Sequence, residues 1–196
     1  IGLTFGSSLR SILRQDPDVL LIGEIRDEET ADIAVKFSLT GHLVFSTVHA
    51  NDAPGTLTRL LDIGIAPFLV GSCLNLVMAQ RLVRKLCDKC KEHYEPTTDE
   101  LALIGLKSKD VKGSLYKSKG CADCRNTGYR GRTAIFEMIP MAKELRKLVF
   151  ENANEDEIRQ AAVKNGMVTL RDAGNERVLD GTTSIEEILR STVEDL

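Results

Sequence analysis

The chain has 196 residues, room for one large domain or two small ones. With 42% hydrophobic and 28% charged residues it is neither disordered nor fibrous in composition. Twenty-six basic against 29 acidic residues give a net charge of −3. That balance, with 5% aromatics and no Trp, argues against bulk capture of nucleic acid and against a base-stacking platform.

The opening Ile1-Gly2-Leu3-Thr4-Phe5 has neither a basic n-region nor a cleavage pattern, so no secretory signal is read there. It carries no initiator Met, and a piece of a longer chain is expected. Leu9–Leu13 reads as a short helix closed by Gln15-Asp16-Pro17. Val19-Leu20-Leu21-Ile22 is a continuous apolar run, as expected of a strand buried on both faces of a parallel sheet. Ile33, Ala34, Phe37 and Ser38 fall at helical spacing within Thr30 to Leu39, and Gly41 ends that helix. Leu43 to Val48 is the next strand, rich in β-branched and aromatic residues. A strand–helix–strand unit places its two strands parallel.

Further helices are expected at about Ala53 to Leu61 and Pro67 to Leu82. The run from Ile63 to Gln80 carries no charge, but Pro67, Gly71, Ser72 and Asn75 dilute it. It reads as a turn and a buried helix, with no transmembrane segment. Residues 87–133 are short polar pieces holding two C-x-x-C pairs, the pattern of a small metal-stapled module. From Met141 onward the pattern is helical: Glu144–Phe150, a capping box at Asn154-x-x-Glu157, a stop at Gly166, Thr169–Leu179, and a start at Ser184-x-x-Glu187. The organisation expected is α/β over 1–86, a cysteine module over 87–133, and an all-helical domain over 134–196.

Three groups of residues carry chemistry. The first is Val19-Leu20-Leu21-Ile22-Gly23-Glu24, a strand delivering a carboxylate to the C-terminal edge of a sheet, where open α/β folds bind ligands. There it can orient Mg²⁺-bound water or the attacking water. The second is Thr40 to His49, with His42 before a strand and His49 after it. If the two strands are parallel, His49 and Glu24 leave at the same edge and His42 at the opposite one. Imidazole can donate a hydrogen bond to a phosphate.

The third group is Cys87/Cys90 and Cys121/Cys124, with Cys73 apart as a small core residue. Two knuckles offer four soft thiolates, suited to tetrahedral Zn²⁺ in a closed structural site. Lys85, Lys89, Lys91, Lys119 and Arg125 lie beside them in sequence and can moderate the negative charge. His93 lies outside the knuckle. Arg10, Arg14, Arg26, Arg81 and Arg84 are candidates to reach phosphates across a subunit boundary, the last two on a helix. No G-x-x-x-x-G-K-[ST] loop occurs. A nucleotide site made from this chain alone would lack its phosphate cradle, so the chain by itself is expected to be inactive and to bind ATP poorly.

Gly2-Leu3-Thr4-Phe5, Leu9 to Asp18, Ile22-Gly23-Glu24-Ile25-Arg26-Asp27, Thr40 to His49, Ala79-Gln80-Arg81-Leu82 and the cysteine knuckles together resemble the secretion ATPase superfamily. Within it they look like the traffic ATPases of type II secretion and type IV pilus assembly. The resemblance implies the C-terminal part of a RecA-like ATPase domain, with the Walker A loop and Asp box N-terminal to Ile1. It matches Glu24 to the Walker B glutamate, and His42 and His49 to the His box. His49 is the closer candidate for sensing the terminal phosphate, and His42 for contacting nucleotide. It matches the four cysteines to a zinc module, and places the arginine fingers largely in an N-terminal domain. It also implies ATP, Mg²⁺, a cytoplasmic hexamer, and docking to inner-membrane secretion or pilus platform proteins. The rival reading is a non-enzymatic zinc ribbon that binds nucleic acid or protein, with the α/β region as scaffold.

Overall fold

The computed structural model describes residue 2, residues 5–111 and residues 113–192; Leu3 and Thr4 of the expected motif lie outside them. The chain divides into two compact units: Ile1–Met78 with Met138–Met167, and Ala79–Glu137 with Val168–Leu196.

In the first unit, α1 (Phe5–Leu13) leads to β1 (Val19–Ile22), α2 (Glu28–Leu39) and β2 (Leu43–Ser46). Asp27 caps α2, its carboxylate accepting from the Thr30 N–H at 2.8 Å. β1 and β2 pair in parallel, with Val19 opposite Leu43 and Ile22 opposite Ser46, as a strand–helix–strand unit requires. The apolar run is not buried on both faces, however. Leu20 and Ile22 are buried, whereas Val19, Leu21, Leu43 and Phe45 are exposed, Leu21 by 77%. Among the described residues these two strands pair only with each other, and their apolar composition still reads as a strand meant to be covered twice.

α3 (Ala53–Asp62) and α4 (Pro67–Cys73) follow. The expected helix over 67–82 is a correction: it stops at Cys73, and β3 (Leu76–Leu86) takes over. Met78, Ala79, Gln80 and Arg81 favour helix locally, but the segment alternates exposed and buried residues through Ala79 and pairs with β6 (Tyr129–Pro140). Pairing across more than forty residues overrides local propensity. Arg81 and Arg84 therefore lie on a strand. No helix among the described residues is long and apolar enough to cross a membrane. α6 (Lys143–Phe150) packs on α4, and α7 (Glu155–Lys164) packs on α3. The Asn154 capping box forms as expected.

In the second unit, β4 (Glu92–Tyr94) and β5 (Leu115–Lys117) form an antiparallel ribbon, with α5 (Thr98–Ala102) between them. α8 (Leu170–Leu179) and α9 (Ile185–Ser191) pack together. A buried carboxylate ties α9 to β3. The Glu187 side chain has 0% exposure. It accepts from the Arg84 backbone N–H at 2.9 Å, from Arg84 Nε at 2.8 Å and from Arg190 Nη2 at 2.6 Å. Burial pushes this carboxyl up, but the arginine hydrogen bonds more than offset it and hold it at about 2. The Arg84 guanidinium also lies 4.1 Å from the Tyr129 ring centroid. Thr183 Oγ1 donates to the Arg84 carbonyl at 2.8 Å and Leu86 N–H to Thr182 at 2.8 Å, so the chain is fixed just before Cys87.

Glu187→Gln puts a neutral amide in the buried position against two arginines, Arg84 and Arg190, whose own side chains are 38% and 57% exposed. The expected cost is about 3 kcal/mol, a Tm fall of roughly 6–12 °C by thermal unfolding. Because the folded carboxyl lies below its ordinary value of 4.5, its stabilisation is present above that pH and is lost as pH falls toward about 2. An acid titration of stability should show that slope in the parent chain and lack it in Glu187→Gln; equal slopes would refute the assignment.

Candidate functional site

β1 ends at Ile22, and Gly23 and Glu24 continue past the sheet edge. The neighbouring strand keeps pace: Ile25 N–H donates to the Thr47 carbonyl at 2.9 Å, and Thr47 Oγ1 donates to the Gly23 carbonyl at 2.7 Å. These bonds place His49 beside Glu24, with Nε2 donating to Glu24 Oε2 at 2.9 Å. Arg26 Nε reaches the same oxygen at 2.5 Å. The Arg26 hydrogen bond foremost, aided by His49 and opposed by partial burial, holds the Glu24 carboxyl below the ordinary range. The result is an ionised carboxylate at a C-terminal sheet edge with two donors on one oxygen. That arrangement can orient water or a hydrated cation, and it keeps a hydrogen-bond donor ready for an anion.

His42 is not brought to this pair. It sits before β2, its ring stacked on Phe37 at 4.0 Å between centroids, with Nδ1 2.9 Å from Thr40 Oγ1. Its Nε2 is 3.8 Å from Asp16 Oδ1. Arg10 pairs with Glu29 at 2.6 Å, Arg26 with Glu24, and Arg84 with Glu187.

The four cysteines do come together. Cys87 and Cys121 Sγ are 4.0 Å apart, Cys90 and Cys124 are 3.8 Å, and Cys121 and Cys124 are 3.7 Å. All are free thiols, far from the disulfide distance of about 2.05 Å. A tetrahedron of sulfurs about 2.3 Å from one ion has edges of about 3.8 Å, so the set fits a Cys₄ metal site. It is the one such cluster among the described residues. His93 is outside it and packs on Tyr116 at 4.1 Å between centroids.

Backbone geometry prepares the sulfurs. Cys124 Sγ accepts from the N–H groups of Cys121 at 3.2 Å and Gly128 at 3.3 Å. Gly128 has φ +76°, and a Cβ there would meet Ser118 Cβ at 2.5 Å, so only glycine brings its N–H in. Burial works against the Cys124 thiolate, but these donors and the neighbouring thiols bring it to about 6. Burial and the other three sulfurs push Cys90 up to about 12. Crowded thiols resist ionising together without a cation, and a divalent ion removes that penalty. The nearby lysines are partly committed elsewhere: Lys89 pairs with Asp123 at 2.7 Å, Lys119 with Glu92, and Lys91 with Asp88 at 3.1 Å. Backbone N–H groups thus bear on the sulfurs directly, while these lysine charges are shared with carboxylates.

With the strand order, the Glu24–His49 pair and the cysteine cluster in place, a family model described as type II/IV secretion system protein matches residues 1–190. The chain belongs to this family. Among its relatives is the type IV pilus assembly ATPase PilB of Myxococcus xanthus, 51% identical over 198 residues, covering 100% of this chain and 35% of that protein. Another is the type II secretion system protein E of Pseudomonas aeruginosa, 48% identical over 195 residues, covering 100% of this chain and 38% of that protein. The chain therefore spans little more than a third of these two relatives. Among solved structures, the pilus retraction motor PilT with bound ADP gives a TM-score of 0.68 at 24% identity, covering 98% of this chain and 44% of that one. The ATPase DotB of Legionella pneumophila gives 0.63 at 20% identity, covering 94% and 41%. Both share the α/β fold of this type II/IV secretion system protein.

Asp52, three residues after His49 in sequence, and its partner Arg159 escaped the sequence reading. Asp52 caps α3, and Arg159 of α7 pairs with it at 2.8 Å. The Asp-x-Pro order at 52–54 is a helix-start signal that could have marked Asp52. Nothing local marks Arg159.

Proposed function

We propose that this chain supplies the Walker B and His-box portion of an ATP-hydrolysing motor for type II protein secretion or type IV pilus assembly. The observation that carries the reading is the Glu24–His49 contact at the C-terminal edge of parallel β1 and β2, in a chain matched by the family over residues 1–190. Glu24 would hold Mg²⁺-bound water or align the attacking water, and its low pKa keeps it anionic for that task. His49 would exchange its bond to Glu24 for one to the terminal phosphate oxygen, linking phosphate state to the loop before α3. His42 keeps only the nucleotide-contact role that the resemblance implies, on the edge away from that pair.

Cys87, Cys90, Cys121 and Cys124 would hold a structural Zn²⁺. The ion leaves no ligand position open and supplies cross-linking and no chemistry. Residues 1–86 would then serve as the ATPase region and residues 87–133 as the metal module; the region expected to be all-helical over 134–196 is corrected at its start, where β6 runs to Pro140 and the helices begin at Lys143. A cytoplasmic hexamer docked to inner-membrane platform proteins completes the proposal. The rival zinc-ribbon reading has no use for the Glu24–His49 pair, and family membership over 1–190 weighs against it.

Calorimetric titration compares the chain with the whole protein. The 196-residue chain is expected to bind Mg–ATP no tighter than millimolar and to show no turnover, because it encodes no glycine-rich phosphate cradle. The whole protein is expected to bind and hydrolyse it. Micromolar binding by the chain alone, at a site including Glu24, would overturn the partial-site reading.

A further inference from the structure

The loop carrying His49 is anchored at both ends. His49 and Ala50 lie in irregular chain between β2 and α3, and the His49 side chain is 80% exposed. On the strand side the anchor is Thr47, through its bonds to Ile25 and Gly23. On the helix side it is Asp52, three residues on and so within about 10 Å of extended chain. Asp52 Oδ1 accepts from the Gly55 N–H at 2.7 Å, and its carbonyl accepts from Thr56 Oγ1 at 2.8 Å. The helix it caps is sunk at this end, with Ala53 and Leu57 fully buried.

The second carboxylate oxygen is used differently. Asp52 Oδ2 accepts from Arg159 Nη2 at 2.8 Å, and the same Nη2 donates to Glu155 Oε1 at 2.8 Å. The side chains are 9% exposed for Asp52 and 18% for Arg159. Capping alone does not call for this arrangement, since Asn or Ser caps a helix as well as Asp. An arginine held against the cap from 107 residues away adds a little-screened charge contact to the end of the His49 loop.

We propose that Arg159 is a positioning residue for His49: acting through Asp52, it fixes the loop end, so that α7 sets the geometry of the Glu24–His49 pair. The inference rests on the reading of that pair as the hydrolytic site. It makes α7 a point from which load or partner binding can alter the site.

The test uses the whole protein, with turnover, nucleotide affinity and Tm measured in parallel. Asp52→Asn retains the cap and removes the charge pair; Arg159→Gln removes it from the other side. Each is expected to lower kcat about tenfold or more with nucleotide affinity unchanged. The double variant should be no worse than the poorer single one. In a His49→Ala background neither substitution should lower kcat further, which a merely structural pair would not reproduce. Unchanged kcat in Asp52→Asn, or an undiminished additional loss in the His49→Ala background, would overturn the proposal. If Arg159→Gln does not fold, Asp52→Asn with its cap intact carries the same comparison. Full turnover by His49→Ala alone would instead remove the hydrolytic reading and this inference with it.

Discussion

Cys121→Ser is expected to abolish metal binding and to loosen the 87–133 module while the β1–α2–β2 unit stays folded. A serine hydroxyl is not ionised near neutral pH, so three thiolates would remain with one open position. Apart from the cysteines, the segment is held by the buried Leu101, Ile104 and Leu115 and by Asn175 Nδ2 donating to the Ile104 carbonyl at 2.8 Å, so the knuckles should loosen most. Its ribbon is three residues per strand, and the knuckles are turns with local backbone bonds such as Cys90 N–H to the Cys87 carbonyl at 3.1 Å, joined to each other by Cys87 N–H donating to the Gly128 carbonyl at 2.9 Å. Structural zinc binding is worth about 10–16 kcal/mol at neutral pH, more than a small polar module recovers by burial. Elemental analysis should give close to one zinc per reduced parent chain and almost none for Cys121→Ser. Hydrogen exchange should then show lost protection over residues 87–128, sparing α3. Reduced parent protein without zinc, or unchanged protection in the variant, would sink the assignment.

The features legible in the sequence are those set by short spacings. The parallel pair follows from one apolar run, one helix and a second run, and that alone brings Glu24 and His49 to one edge. The cysteine cluster follows from two knuckles, because each C-x-x-C fixes half of a tetrahedron locally. The missed features depend on distant partners. β3 contains Met78, Ala79 and Gln80, good helix formers, and only pairing with β6 makes it a strand. Glu187 beside Glu186 looks like a solvated first turn, yet its carboxylate is buried against Arg84, 103 residues earlier. The Arg159–Asp52 pair is hidden for the same reason. A charge reads as exposed until its partner is known.

Glu24→Gln in the whole protein is expected to keep nucleotide binding and lose nearly all turnover. The substitution preserves length and shape, and an amide oxygen can still accept from one of the two donors now sharing Oε2. What it removes is the negative charge. A neutral amide cannot stabilise a hydrated cation or draw a proton from water as a carboxylate does, and such groups contribute about 10²–10⁴ in rate. A loss near 10³-fold corresponds to about 4 kcal/mol of transition-state stabilisation. Binding should survive because affinity for the nucleotide comes mainly from the phosphate cradle, and removing one anion near the phosphates lowers repulsion. Tm should barely move, since an exposed ion pair of this kind contributes little to stability. Steady-state hydrolysis and a fluorescent-nucleotide titration on the same preparation separate these effects. Turnover within twofold of the parent would count decisively against Glu24 as the hydrolytic carboxylate, whereas equal losses of binding and turnover would mean that it holds nucleotide and does not activate water.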